Sequence, residues 1–246
     1  GAEVIFPSGS DGEQFLSWIE TLAPTWYTAV PAIHQAILSR AEAGESRMIA
    51  ERHFLRFIRS SSAPLPAPVM RRLEESFRVP VIEAYGMTEA AHQIASNPLP
   101  PLPRKPGSVG RPIGVEAAII DEAGNFTAPG IIGEVVLRGA SITRGYEGDA
   151  EANRNAFIDG WLRTGDLAQL DGDGYLFLAG RLKEAINRGG EKIAPLEIDK
   201  TLTDHPEIVE AVSFAVKHPS LGEDLVAAVV VRDKARASER AIHEYL

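Results

Sequence analysis

A chain of 246 residues, 44% hydrophobic and 24% charged, is long enough to bury a core and to exceed one domain. Its formal net charge of -9 lacks the basic stripe that a nucleic-acid backbone requires, which argues against DNA, RNA or anionic membrane as main partners and confines any bound polyanion to a local site. With no cysteine there is no disulfide framework, thiolate nucleophile or cysteine-based metal site, which suits a reducing compartment, so cytoplasm is the default expectation. No apolar run is long enough to span a bilayer, and the first residues lack the basic-then-apolar order of a secretory signal.

The first hundred residues alternate strand and helix patterns. Asp11 can cap a helix whose Phe15, Trp18, Ile19 and Leu22 fall on one face of a 3.6-residue period. A short strand is expected over 26–30, then a helix opening at Pro31 with Ile33, Ile37 and Leu38 on one side. A strand over 55–58, a helix face of Val69, Leu73 and Phe77, and a buried strand over 79–82 repeat the pattern. Such units imply a parallel sheet covered by helices. Five prolines between Pro98 and Pro106 then form a connector, because none can sit in a helix interior or central strand. From 115 to 178 short strands punctuated by turns at 121–125, 129–130 and 171–174 predict a β-rich subdomain. Beyond Arg181 a mixed unit is expected, with a helix near 195–203, strands at 208–216 and 225–231, and a helix from Ser238 that the chain leaves unfinished. The fold expectation is therefore α/β: residues 1–182 as part of a large domain (1–103 α/β, 104–182 β-rich), then 183–246 as a small, truncated α+β domain.

Three short motifs carry chemistry. Tyr85-Gly86-Met87-Thr88-Glu89 follows a buried strand, at the carboxyl edge where parallel sheets bind ligands. An aromatic ring can stack on a purine, a glycine admits close backbone approach, a threonine hydroxyl can bond a phosphate, and a glutamate can hold Mg2+. The plainer reading is a strand-to-helix turn with Glu89 in the first helical turn. In Trp161-Leu162-Arg163-Thr164-Gly165-Asp166, a carboxylate on a glycine turn can accept from two ribose hydroxyls, or simply form an Asx turn. In Gly180-Arg181-Leu182-Lys183-Glu184, Arg181 offers a planar fork to phosphate or ribose oxygens, or a surface salt bridge.

These motifs, together with Ser61-Ser62-Ala63-Pro64-Leu65, Gly133-Glu134-Val135-Val136-Leu137-Arg138-Gly139, Gly145-Tyr146 and Gly189-Gly190-Glu191-Lys192-Ile193 in the same order, resemble the adenylate-forming superfamily of acyl-CoA synthetases, luciferases and peptide-synthetase adenylation domains. The resemblance spans the whole chain. It implies an ATP-dependent, AMP-forming ligase that joins a carboxylic acid to coenzyme A with Mg2+. By that resemblance Tyr85, Gly86 and the Ser61, Ser62 and Ala63 backbone flank adenine, and Thr88 touches the α-phosphate. Glu89 binds Mg2+, and Asp166 and Arg181 fix the ribose. Lys183 matches the hinge about which the small domain swings between half-reactions, and Gly189 and Gly190 line the pantetheine tunnel. The family's phosphate loop with its lysine is not matched. Ser8-Gly9-Ser10-Asp11-Gly12 lacks the lysine and reads as a turn into a helix cap. The family's catalytic lysine would fall past Leu246, so residues 1–246 alone are expected to be inactive.

Further runs, among them 26–35, 56–60, 88–92 and 95–100, resemble the oxalate-CoA ligase group of plants and fungi. A small dianion offers no apolar surface, so its pocket must supply hydrogen bonds and positive charge. Ser60 and His92 can supply them, His92 from a position three residues beyond Glu89 on one helix side, although a structural helix histidine is an equal reading. His34 reads as a core residue. Alternatives are a fatty-acid or aryl-acid CoA ligase, a peptide-synthetase adenylation domain, or a nucleotide-binding relative without catalysis.

Overall fold

The computed structural model describes residues 3–6, 14–41, 53–232 and 238–245. Asp11 and the 8–12 run lie outside them. Two compact units emerge, one of residues 1–85 and 96–107, the other of residues 86–95 and 108–246.

In the first unit α1 (Phe15–Leu22) begins behind Gln14 and buries Ile19, with Phe15 and Leu16 packed against the core. Strand β1 (Trp26–Ala29) leads into α2 (Pro31–Arg40), which opens at Pro31 as its missing N–H and fixed φ allow. Its inner face buries His34, Ile37 and Leu38. Strand β2 (Phe57–Ser60) pairs in parallel with β1, α3 (Ala67–Phe77) buries Val69, Met70, Leu73 and Phe77, and β3 (Val81–Tyr85) pairs in parallel with β2. Both β2 and β3 lie about two residues later than their apolar runs suggest. Pro80 cannot donate to a ladder but its carbonyl accepts from Ile58 N at 2.9 Å, and the strands continue through polar residues, Ser60 and Glu83, that are nevertheless buried. Tyr85 is thus the last residue of β3.

Two-residue strands β4 (Ala95–Ser96) and β5 (Arg111–Pro112) follow. The second unit then builds an antiparallel sheet from β6 (Glu116–Ile120) and β7 (Gly133–Arg138). After α4 (Ala150–Ala156) and the short β8 (Phe157–Ile158), the long β9 (Trp161–Leu170) pairs with β7, and β10 (Leu176–Arg181) pairs with β9. Val135, Val136, Leu137 and Leu162 are fully buried there. A third sheet has the order β12-β11-β14-β13, made from β11 (Ile186–Arg188), β12 (Glu191–Ile193), β13 (Ile208–His218) and β14 (Gly222–Val231). Helix α5 (Pro195–Asp204) packs on β13 and also on β10, where Lys200 Nζ donates to Leu178 O at 3.0 Å. Helix α6 (Glu239–Tyr245) follows. No helix among the described residues is long and apolar enough to cross a membrane.

Candidate functional site

The Thr164-Gly165-Asp166 turn owes its shape to a register break. Between Glu134↔Leu167 and Val136↔Arg163 the β7–β9 ladder sets residues 164–166 against Val135 alone, so β9 bulges away from its partner. A second irregularity, between Leu178 and Gly180, brings Arg181 opposite Asp166.

Glu134 holds the bulge from beneath. Its carboxylate, 6% exposed, accepts from Arg163 Nε (2.9 Å) and Nη2 (2.5 Å) through one oxygen and from Gly165 N (3.1 Å) through the other. Thr164 Oγ1 donates to Val135 O (2.9 Å) and accepts from Asp166 N (3.0 Å). Asp166 is 6% exposed, while the Arg181 side chain, its Nε 3.1 Å from Asp166 Oδ1, is 56% exposed. The exposed Arg181 guanidinium thus presents N–H donors to solvent beside a buried carboxylate. Thr164, Gly165, Arg181, Leu182 and Lys183 line a cleft of about 380 Å3 there, with Lys183 on a short 3-10 helix. Glu134 belongs to one of the runs that carry the family resemblance, but the sequence alone assigns it no site role. The signal was its place in an apolar strand, where a carboxylate needs buried partners.

Gly86 has a different role from the one its motif suggests. A Cβ there would lie 1.4 Å from the carbonyl oxygen of His92, so it is the chain's own backbone that approaches this glycine closely. The expected helix after Gly86 is a three-residue 3-10 turn, Thr88–Ala90, closed by Ala91 N to Thr88 O and His92 N to Met87 O. Ala91 (φ 51) and His92 (φ 81) then turn left-handed, so His92 is exposed on a loop and shares no helix side with Glu89. Glu89 instead meets Tyr146, whose hydroxyl donates to Glu89 Oε1 at 2.8 Å. That bond to a carboxylate raises the Tyr146 hydroxyl above the ordinary phenol value.

In the first unit, Tyr85 is 8% exposed and Ser60 1% exposed. Ser60 Oγ has no hydrogen-bond partner among the described residues. Ser61 N donates to Ala29 O, Ser61 Oγ accepts from Arg59 Nη1 at 3.3 Å, and Ser62 turns left-handed (φ 72). His34 is a core residue: 0% exposed, with Nδ1 3.2 Å from Tyr27 Oη. Burial lowers its pKa to about 4, outweighing the Ala29 and Arg59 carbonyls that favour the protonated ring, and burial pushes the Tyr27 hydroxyl up. The structure thus brings Asp166 to Arg181 and places Thr88 and Glu89 in the same unit, while Ser60 to Ala63 and Tyr85 belong to the other. Gly189 (φ 62) and Gly190 (φ 97) form the left-handed two-residue turn joining β11 to β12, with Gly190 N donating to Asn187 Oδ1.

No group of three or more His, Asp or Glu capable of caging a metal occurs among the described residues, so a cation at Glu89 would take its other ligands from phosphate and water oxygens, as Mg2+ commonly does.

The chain resembles known proteins along its whole length. It is 48% identical over 245 residues to the probable CoA ligase CCL9 of Humulus lupulus, covering 98% of this chain and 46% of that protein. It is 46% identical over 248 residues to the oxalate–CoA ligase of Arabidopsis thaliana, covering 100% and 48%. The structure superposes on ATP-bound MatB from Rhodopseudomonas palustris with a TM-score of 0.85 at 31% identity, over 96% of this chain and 46% of that one. The chain therefore spans about half the length of the curated relatives it matches. The AMP-binding enzyme family matches residues 1–147, well over half of the sequence, and with the α/β architecture and the motif order above it follows that this chain belongs to that family.

Proposed function

We propose that the chain supplies the adenosine- and magnesium-binding part of an ATP-dependent, AMP-forming carboxylic acid–CoA ligase acting on a small acid such as oxalate. The observation that carries this reading is the Asp166 carboxylate, raised on a bulge, braced by Glu134 and faced by Arg181 at 3.1 Å. Two ribose hydroxyls donating to one carboxylate would fit there, with Arg181 bonding their oxygens.

Tyr85 and the Ser61, Ser62 and Ala63 backbone would flank adenine. Thr88 would bond the α-phosphate and Glu89 would hold Mg2+, which when bound neutralises the phosphate oxygens. Adenylation asks the protein chiefly to position a carboxylate against the α-phosphorus and to offset negative charge. Lys183 would then serve as the hinge between a large domain of residues 1–182 and a small one of 183–246. Gly189 and Gly190 would flank the pantetheine arm. Ser60 and His92 would face the acid, and oxalate as that acid is supported by the Arabidopsis relative's name.

The test uses the intact protein. Asp166→Ala should weaken AMP binding roughly 100-fold by calorimetry, the loss of charge-assisted hydrogen bonds to two hydroxyls. A panel of oxalate, sulfoacetate, fatty and aryl acids, followed by pyrophosphate release, should show turnover greatest with oxalate. Unchanged AMP affinity in Asp166→Ala would remove the nucleotide site, and preference for an aryl or fatty acid would remove only the substrate assignment.

A further inference from the structure

Among the described residues no hydrogen bond from its own segment reaches the Glu89 carboxylate. The 3-10 turn is three residues long, and the next two residues are left-handed. Orientation comes from a segment 57 residues away, where Tyr146 Oη donates to Glu89 Oε1 (2.8 Å) and Thr143 N donates to the Glu89 carbonyl (2.7 Å). Oε2 of Glu89 carries no hydrogen bond among the described residues.

Tyr146 is itself held at both backbone groups by one side chain. Asn153 Oδ1 accepts from Tyr146 N (2.7 Å), and Asn153 Nδ2 donates to Tyr146 O (2.8 Å). Asn153 sits on α4, whose first turn is capped by Asp149 Oδ1 accepting from Ala152 N at 2.8 Å. Gly145 is required by the same contact, since a Cβ there would stand 2.6 Å from Asn153 Oδ1. Thr143 Oγ1 closes the loop through Gly145 N (3.3 Å) and Gly145 O (3.2 Å). So much structure around an exposed hydroxyl has one visible product, a carboxylate with one oxygen bonded and the other presented.

We propose that Tyr146, clamped by Asn153, is a positioning residue that orients Glu89 so that its second oxygen is offered to Mg2+ on the nucleotide. The inference rests on Glu89 being the magnesium ligand and adds the group that aims it. A ligating carboxylate that must be held by its own hydrogen-bond partner loses metal affinity when that partner goes.

The experiment measures Mn2+ affinity by electron paramagnetic resonance in the intact protein with a non-hydrolysable ATP analogue, and AMP affinity without metal, for wild type, Tyr146→Phe, Asn153→Ala, Glu89→Gln and the Tyr146→Phe/Glu89→Gln pair. Tyr146→Phe and Asn153→Ala should each weaken Mn2+ binding roughly tenfold and leave metal-free AMP binding unchanged. In Glu89→Gln, adding Tyr146→Phe should change nothing further. Wild-type Mn2+ affinity in Tyr146→Phe alongside its loss in Glu89→Gln would overturn the positioning role. Retention of Mn2+ affinity in Glu89→Gln would overturn the magnesium assignment beneath it. Equal losses of Mn2+ and AMP binding in Tyr146→Phe would show a merely structural hydroxyl and also overturn the proposal.

Discussion

Glu134 in the second unit and His34 in the first are both buried polar residues on sheet-packed elements, and they are satisfied very differently. Glu134 has both oxygens matched, by a guanidinium and a backbone N–H, and the matching gives the Asp166 turn its shape. His34 has Nδ1 beside Tyr27, while its Nε2 makes no hydrogen bond of good geometry among the described residues, and neither does the hydroxyl of Ser60, which follows Arg59. A fully matched buried group can build a site, whereas a half-matched one costs free energy and responds to pH.

The largest test of that contrast is acid. A histidine whose pKa is about 4 in the folded chain and about 6.5 unfolded stays neutral when folded but takes up a proton on unfolding between those values. Stability is therefore complete above about pH 6.5 and falls as pH drops toward 4, by at most about 3 kcal/mol. Denaturant unfolding across that window should show the slope in wild type and a flatter one in His34→Gln; identical slopes would mean that His34 contributes nothing to acid sensitivity. Next comes Glu134→Ala, which strands Arg163 and Gly165 N and should cost about 2 kcal/mol, less than a fully buried pair because Arg163 is 39% exposed. The same variant should weaken AMP binding, since the bulge loses its brace. A smaller effect is expected from Ser60→Ala: removing an unpartnered hydroxyl should leave stability unchanged or raise it by up to about 1 kcal/mol, and a clear loss would show that Ser60 is matched after all. Smallest is Val212→Ser on the edge strand β13, where 54% exposure predicts a change within about 0.5 kcal/mol by the same unfolding assay.

Helices α2 and α3 were legible because apolar spacing at 3.6 residues and a proline at the helix start are local signals. The turn 171–174 was equally legible: Asp171 Oδ1 accepts from Asp173 N and Tyr175 N as an Asx turn should. Strands β2 and β3 were misplaced because buried Ser60 and Glu83 look like strand ends to a hydrophobicity reading. His92 was misread for a related reason: whether Thr88-Glu89-Ala90 continues as a helix depends on the carbonyl of His92 folding back over Gly86. Of the candidate site, residue types and order were readable, whereas the brace under Asp166 and the clamp on Tyr146 were not.

By itself the sequence determined the helices of the first hundred residues, the family to which its motifs belong, and which side chains have chemistry to offer, since these are written in short-range spacing, whereas it gave no sign of α4. Tertiary structure alone decided that Glu134 lies under Gly165 and that Tyr146 reaches Glu89. Those contacts join residues 31 and 57 positions apart, and they depend on strand register and bulges that no local pattern encodes.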